Sequence, residues 1–260
     1  MARQAQTEVL PIRPVVTPRP IGLLLGLNGS QNPFSGTDTY KSIADLPLNK
    51  RVIEMKKEDI KNKILSEDPI KGSTFPLINR IGYSQMYRFG SPPNYNPKPE
   101  HSIESLAKVS GVSSAELAYD ILLENEGNNF IYAPLVNYAD HTFGVCQKML
   151  EDKNAIMGLG DGGAHVGFIL DAGYPTWLIS YWSVKKKVFS MEETIRRLTS
   201  DTALAAGLQD RGYLKVGLKA DINIIDWDNV GSSDPYMTQD LPAGGKRLMQ
   251  HTQGYVATIV

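Results

Sequence analysis

The chain has 260 residues, enough to bury a substantial core in one large domain or one and a half ordinary ones. Its 27 lysines and arginines nearly balance 28 aspartates and glutamates, so it lacks the overall field that would favour nucleic acid or an anionic membrane. A single cysteine, Cys146, rules out an internal disulfide and suits a reducing compartment.

The opening stretch MARQAQTEVLPIRPVV has no apolar core of signal-peptide length, and IGLLLGL at 21–27 is too short to span a bilayer. Both point to a cytoplasmic chain. Residues 9–16 read as a strand end or edge strand, because Pro11 and Pro14 interrupt it. Ile21 to Leu27 is a second apolar run, followed by the turn-rich NGSQNPFSGTD. Val52, Met55, Ile60 and Ile64 predict a helix over 52–65 with a solvated lysine face. Residues 68–100, rich in Pro, Gly, Asn and Tyr, predict an irregular loop.

A helix pair follows. Ser102 caps a short helix that stops at Gly111; Ser113 with Glu116 forms a capping box for a second that stops before Gly127. Residues 128–134 and 154–157 read as short buried strands. Ser190 and Glu193 cap a further helix that runs to Gly207. After it the period changes to two through Ile222 and Ile224, and GYVATIV is a last strand. Exposed strand edges near Val9 and at Tyr255–Val260 leave self-association or pairing with a partner open.

The candidate chemistry lies in NAIMGLGDGGAHVGF. Gly158, Gly160 and Gly163 satisfy the dinucleotide fingerprint G-x-G-x-x-G. That reading needs a helix beginning at once and an acid about 20 residues on. The sequence instead continues AHVGFILDAGYP, and position 183 is a serine, so the nucleotide reading loses. The other reading places Asp161 at the C-terminal end of a buried strand, with small residues clearing space around its carboxylate. A carboxylate there binds a divalent metal, takes a proton from water, or does both. A turn-capping aspartate fits the spacing equally well.

The order of motifs resembles the metal-dependent amidohydrolases, and within them the N-acyl-D-amino-acid deacylase (D-aminoacylase) branch. Asp161, Gly162 and His165 match its Asp-Gly-x-x-His pattern. Ala203, Gly207 and Leu208 match a helix end, and Gly212, Gly217, Ala220 and Asp221 match the turn into a small β domain. TPRPIGLLLGL, the helix pair and DLPAGGKRLMQHTQGYVATIV extend the resemblance over nearly the whole chain.

It implies an α/β fold: the C-terminal part of a metal-dependent (β/α)₈ (TIM) barrel with part of a small side β domain. Residues 1–208 would be the last barrel strands and helices, with a loop and helical insertion over about 28–150, and 209–260 the β domain. The implied reaction is hydrolysis of a carbon–nitrogen bond in a small-molecule amide by metal-activated water. Asp161 would be general base and metal ligand, His165 and Gly163 would face substrate, and the cofactor would be a divalent metal, zinc in that branch.

Two departures stand out. No His-x-His occurs among the four histidines, His101, His141, His165 and His251. By the resemblance the chain is the C-terminal portion of a longer enzyme, and one carboxylate with one histidine falls short of the ~3 protein ligands of a catalytic zinc. The sequence therefore predicts a chain inactive alone, and a non-catalytic barrel remnant serving as a binding or scaffold subunit is the alternative. The branch's His-Pro-Arg element, which would clamp the substrate carboxylate, is also replaced, here by VGFILDAGYPTWLISYW.

Around the motif, Tyr174, Trp177, Tyr181 and Trp182 read as core packing before a substrate wall. Asp171 and His141 read as loop residues. Lys185–Lys187 read as a solvated basic run, and Lys246–Arg247 fit a grip on a carboxylate or phosphate and a solvent-facing turn equally well.

Overall fold

The computed structural model describes residues 12–158 and 165–260. It is a mixed α/β fold with open sheets. Strand β1 (Val15–Val16) is followed after a Pro-Arg-Pro passage by β2 (Ile21–Gly26). A helical lobe comes next: α1 (Asp38–Ile43), α2 (Leu48–Met55), α3 (Glu58–Ser66) and α4 (Leu77–Ile81). Strand β3 (Tyr87–Arg88) leads to the helix pair α5 (Ile103–Ser110) and α6 (Ser114–Leu123), then to β4 (Phe130–Val136). Helix α7 (Gly144–Glu151) returns the chain to β5 (Ile156–Met157).

Beyond the undescribed residues 159–164 come α8 (Tyr174–Trp177) and a π-helical segment, Leu178–Lys185, then α9 (Met191–Leu198) and α10 (Ser200–Ala205). The last 40 residues hold β6 (Ile222–Ile225), β7 (Gly231–Ser232), β8 (Tyr236–Leu241), β9 (Gly245–Met249), β10 (Thr252–Gln253) and β11 (Tyr255–Ile259).

The central sheet has the order β2-β4-β3, all antiparallel, and separates two apolar clusters. Period-two alternation explains the split. Leu23, Leu25, Ile131 and Ala133 face the helical lobe, against Met55, Ile103, Tyr119 and Leu122. Leu24, Phe130 and Tyr132 face the other way, into an aromatic core with Phe89, Tyr95, Phe143 and Tyr174. Each buried leucine contributes about 2 kcal/mol.

Beside this sheet, β1 pairs in parallel with β5 (Val15 with Ile156, Val16 with Met157). Parallel pairing is what a (β/α) unit requires, and α7 precedes β5 as its helix. Among the described residues the strands form separate open sheets and do not close a barrel.

Local signals act as expected at the helix ends. Ser102, Ser113 and Ser190 each accept a hydrogen bond from the amide three residues on. Gly111 and Gly207 take left-handed backbone at φ +70° and +75°. Three regions differ from the sequence reading. The 52–65 helix is two, split at Lys56–Lys57; the 190–207 helix breaks at Thr199 (φ −122°, ψ −86°). The 68–100 loop contains α4 and β3, because Tyr87 and Arg88 pair with Tyr132 and Ile131 far along the chain.

Segment 209–260 has two parts. Hairpin β8–β9 buries Leu248 and packs Met237 on the aromatic core. The antiparallel pair β6–β11 leaves Ile224, Val256 and Ile259 half to two-thirds exposed. No helix among the described residues is long and apolar enough to cross a membrane.

Candidate functional site

Asp161 and Gly163 lie outside the described residues; the chain enters their segment from β5 and leaves it at His165. Val16 O accepts from Gly158 N at 2.9 Å, so β5 remains in register with β1 to the last described residue ahead of the motif. On the far side, residues 165–170 are clamped between two strands. Leu24 N of β2 donates to Phe168 O at 2.8 Å, and Leu248 N of β9 donates to Val166 O at 2.7 Å. Gly167 closes against Ser30, whose Oγ lies where a Cβ would stand. His165 is exposed, takes φ +52° and rests its ring 5.4 Å from that of Phe168.

No helix begins between His165 and Gly173, which removes the phosphate-facing amides that a dinucleotide would need within that described stretch.

β1 and β5 run parallel, so their C-terminal ends open on the same side. The residues that follow those ends are Thr17, Pro18 and Arg19 from β1 and the motif segment from β5. Arg19 is the functional candidate that the sequence reading missed. Pro18 and Pro20 restrict the backbone around it to extended conformations, and Pro18 O is held by Trp182 Nε1. Its side chain is only 3% exposed and its Nη1 lies 3.5 Å from Asp171 Oδ1, itself 6% exposed. Nη2 donates to Leu170 O at 2.6 Å. The guanidinium also lies over two rings, 4.0 Å from the Tyr95 centroid and 4.7 Å from that of Tyr174.

Burial alone would lower the Arg19 pKa, but Tyr95, Tyr174 and Asp171 outweigh it and the guanidinium stays charged. Burial pushes the Asp171 carboxyl up, and Arg19 only partly pulls it back.

The polar atoms around this pair are unusually short of partners. The hydroxyls of Tyr95 and Tyr132 and the indole nitrogen of Trp177 are buried without a hydrogen bond, while Tyr174 and Asp171 interact with each other. A buried polar atom without a partner costs about 1–3 kcal/mol, and three together call for an explanation. The buried arginine of the helical lobe leaves only its Nε without a partner. Arg51 donates to Leu27 O, Leu46 O and the Tyr40 hydroxyl, so it ties chain segments together.

Two cavities flank the pair. One, of about 300 Å³, is lined by Val166, Leu170, Asp171, Arg247 and Leu248. The other, of about 260 Å³, is lined by Arg19, Tyr95, Trp177, Tyr181 and Lys185. Gly173 and Gln250 belong to both, and the ion pair forms the partition. Arg247 is engaged by Asp240 through two hydrogen bonds of 2.8 and 2.7 Å.

The aromatic residues after the motif divide in role. Tyr174 and Trp182 are core residues, while Trp177 and Tyr181 stack at 4.8 Å and form a cavity wall. His141 is bonded to the Tyr87 hydroxyl at 3.0 Å. Among the described residues no three His, Cys, Asp or Glu side chains converge to hold a metal ion.

Compared with known proteins, residues 11–260 match the model of a family described as the amidohydrolase family. No curated protein and no solved structure matches the chain.

Proposed function

The chain belongs to the amidohydrolase family, a hydrolase family, and from that premise we propose that it hydrolyses the carbon–nitrogen bond of a small-molecule amide, with N-acyl-D-amino acids as the substrate class. The observation that carries this reading is the family match across 11–260 combined with the position of Asp-Gly-x-x-His immediately beyond β5. The end of a parallel strand is where such folds carry reacting groups. Asp161 is then the general base: it takes a proton from the water that attacks the amide carbon and gives it to the leaving nitrogen. His165 and Gly163 border the substrate.

Amidohydrolases generally bind divalent metals. The described residues do not assemble a ligand set for one. The proposal assigns this chain a single ligand, Asp161, to a metal that the resemblance makes zinc.

The test is amine release from N-acyl-D-amino acids by the zinc-supplemented protein beside Asp161→Asn, with bound metal measured in both. Removing a general base costs about 10²–10⁴-fold in rate. A loss of that size in a folded variant supports the reading, and equal release from both proteins overturns it. No release from either protein is what a chain inactive alone gives, and the metal measurement then decides. Bound metal that falls in Asp161→Asn supports the reading, and no metal in either protein passes the chain to the alternative, a non-catalytic binding subunit.

A further inference from the structure

We propose that the cavity around Arg19 is a recognition site for a small aromatic carboxylate, in which the buried guanidinium binds the anion and the Trp177–Tyr181 stack binds its ring. The proposal deepens the hydrolase reading and rests on it: it adds an aromatic ring to the acid that the substrate class carries and assigns both groups to residues outside the Asp161 motif.

Three observations converge. The first is charge. Arg19 is nearly inaccessible to bulk water, yet it lines an empty space, and its one acidic neighbour, Asp171, stands off at 3.5 Å. Arg51, buried in the helical lobe, spends its Nη atoms on backbone carbonyls and the Tyr40 hydroxyl and lines neither of the two cavities that flank Arg19. Lys185, at the exposed rim of the same cavity, adds a second positive charge.

The second is unspent donors. Trp177 Nε1 and the Tyr95 hydroxyl are buried, have no partner and belong to residues lining the same cavity. An indole N–H only donates, and a phenol can donate, so both suit an acceptor such as a carboxylate oxygen. Together with guanidinium N–H groups they make a charge-assisted set that discriminates against a neutral isostere.

The third is shape. Trp177 and Tyr181 are stacked with an interplanar angle of 12°, and Tyr95 meets Trp177 edge-on at 5.1 Å. A flat aromatic wall beside a cation selects a ring bearing an acid. The volume of about 260 Å³ holds the occupant to a small molecule, since drug-sized ligands take roughly 300 Å³ upward.

The position fits the rest of the fold. Arg19 leaves β1 at the end beside β5, so acid recognition and the Asp161 segment arise from neighbouring parallel strands. Asp171, on the other side of the partition, competes with the ligand for the guanidinium.

Binding is measured by calorimetry on the full chain with benzoate, benzamide, acetate and inorganic phosphate as probes, and repeated with Arg19→Gln, Asp171→Asn and Trp177→Phe. Benzoate should bind saturably, with benzamide and acetate each at least about tenfold weaker, the size of one lost charged hydrogen bond. Arg19→Gln should weaken benzoate by a similar factor, and Asp171→Asn should tighten it. If Arg19→Gln does not fold, the opposite shifts of Asp171→Asn and Trp177→Phe decide the matter.

Equal binding of benzoate and benzamide overturns the proposal, as does unchanged benzoate affinity in both Asp171→Asn and Trp177→Phe. Phosphate bound as tightly as benzoate overturns the carboxylate assignment, and so does the absence of saturable benzoate binding. Amine release is a separate readout. Benzoate binding in a protein that neither hydrolyses an amide nor loses bound metal on Asp161→Asn rejects the hydrolase reading, whereas hydrolysis without benzoate binding rejects this site.

Discussion

Arg19 Nη1 and Asp171 Oδ1 face each other across 3.5 Å with both side chains almost wholly buried, joining the end of β1 to the loop ahead of α8. The pair brings together residues 152 positions apart and fixes the wall between two cavities. Removing one partner of a buried pair strands the other and costs about 3–5 kcal/mol. Arg19→Met should therefore lower the unfolding free energy by that amount at pH 7.

The same variant should show a definite pH dependence. Burial raises the Asp171 pKa in the folded protein, and Arg19 acts against that rise. A carboxyl whose folded pKa is raised contributes stability below its unfolded value and loses it as pH climbs through the folded value. Without Arg19 the folded value rises further and the loss grows. The stability gap between wild type and Arg19→Met should widen from pH 4 to pH 7 in urea titrations. A gap equal at both pH values would show that Asp171 does not depend on Arg19.

A second prediction concerns the floor of the same site. A Cβ on Gly22 would lie 2.3 Å from a ring carbon of Tyr132. That ring cannot swing aside, because Tyr132 is 1% exposed and packed against Phe89 and Tyr95 at 5.7 and 5.6 Å. Gly22→Ala should destabilise by about 1–3 kcal/mol through overpacking. Near-UV circular dichroism should change with it, since the displaced ring belongs to the aromatic core. An unchanged melting midpoint would mean that this core has slack.

What could be read from the chain follows from how local each signal is. Ser102, Ser113 and Ser190 revealed helix starts because the hydroxyl and its amide are three residues apart. Gly111 and Gly207 revealed helix ends because left-handed backbone favours glycine. The β1–β5 pairing had no such signal, since two residues meet two others about 140 positions later. Hairpin β8–β9 escaped notice because its polar strand YMTQDL alternates weakly and its turn, PAG, reads as an ordinary loop.

Arg19 was legible only as part of TPRPIG. Nothing near it in sequence announces burial, and Tyr95, Asp171 and Tyr174 all reach it from distant segments. Asp171 was read as a loop residue, which its backbone satisfies by accepting from Tyr174 N at 3.1 Å, while its side chain does something else.

The cap at Ser190 tests how the end of the chain is anchored. Its hydroxyl accepts from Glu193 N at 3.1 Å and starts α9. Glu193 does not reach back to complete the capping box through any contact that defines the cap; its carboxylate holds Arg197 at 3.1 and 2.8 Å. Arg197 in turn donates to Leu150 O at 2.7 Å and joins α9 to the end of α7. Ser190→Ala should cost about 1 kcal/mol. Glu193→Ala should cost more than an exposed ion pair would, because Arg197 is 7% exposed and its carbonyl contact depends on being held. If both variants cost the same few tenths of a kcal/mol, α9 is held by its apolar face alone.

Cys146 gives the simplest check on the core. It is fully buried in α7, and its thiol is pushed up to about 12, first by burial and then by the charge of Asp140. Only the thiolate reacts quickly with a disulfide reagent, so the native protein at pH 8 offers neither the ionised form nor access. Labelling should be negligible in the folded chain and should reach the single cysteine once urea unfolds it. The midpoint of labelling should coincide with that of far-UV circular dichroism. Coincidence would follow from the thiol lying in the same aromatic cluster as Leu24 and Tyr132, where exposing it requires the central sheet to part. Fast labelling of the folded protein would instead show that α7 opens by itself, and the parallel β1–β5 pair beneath it would then be the first element to lose its cover.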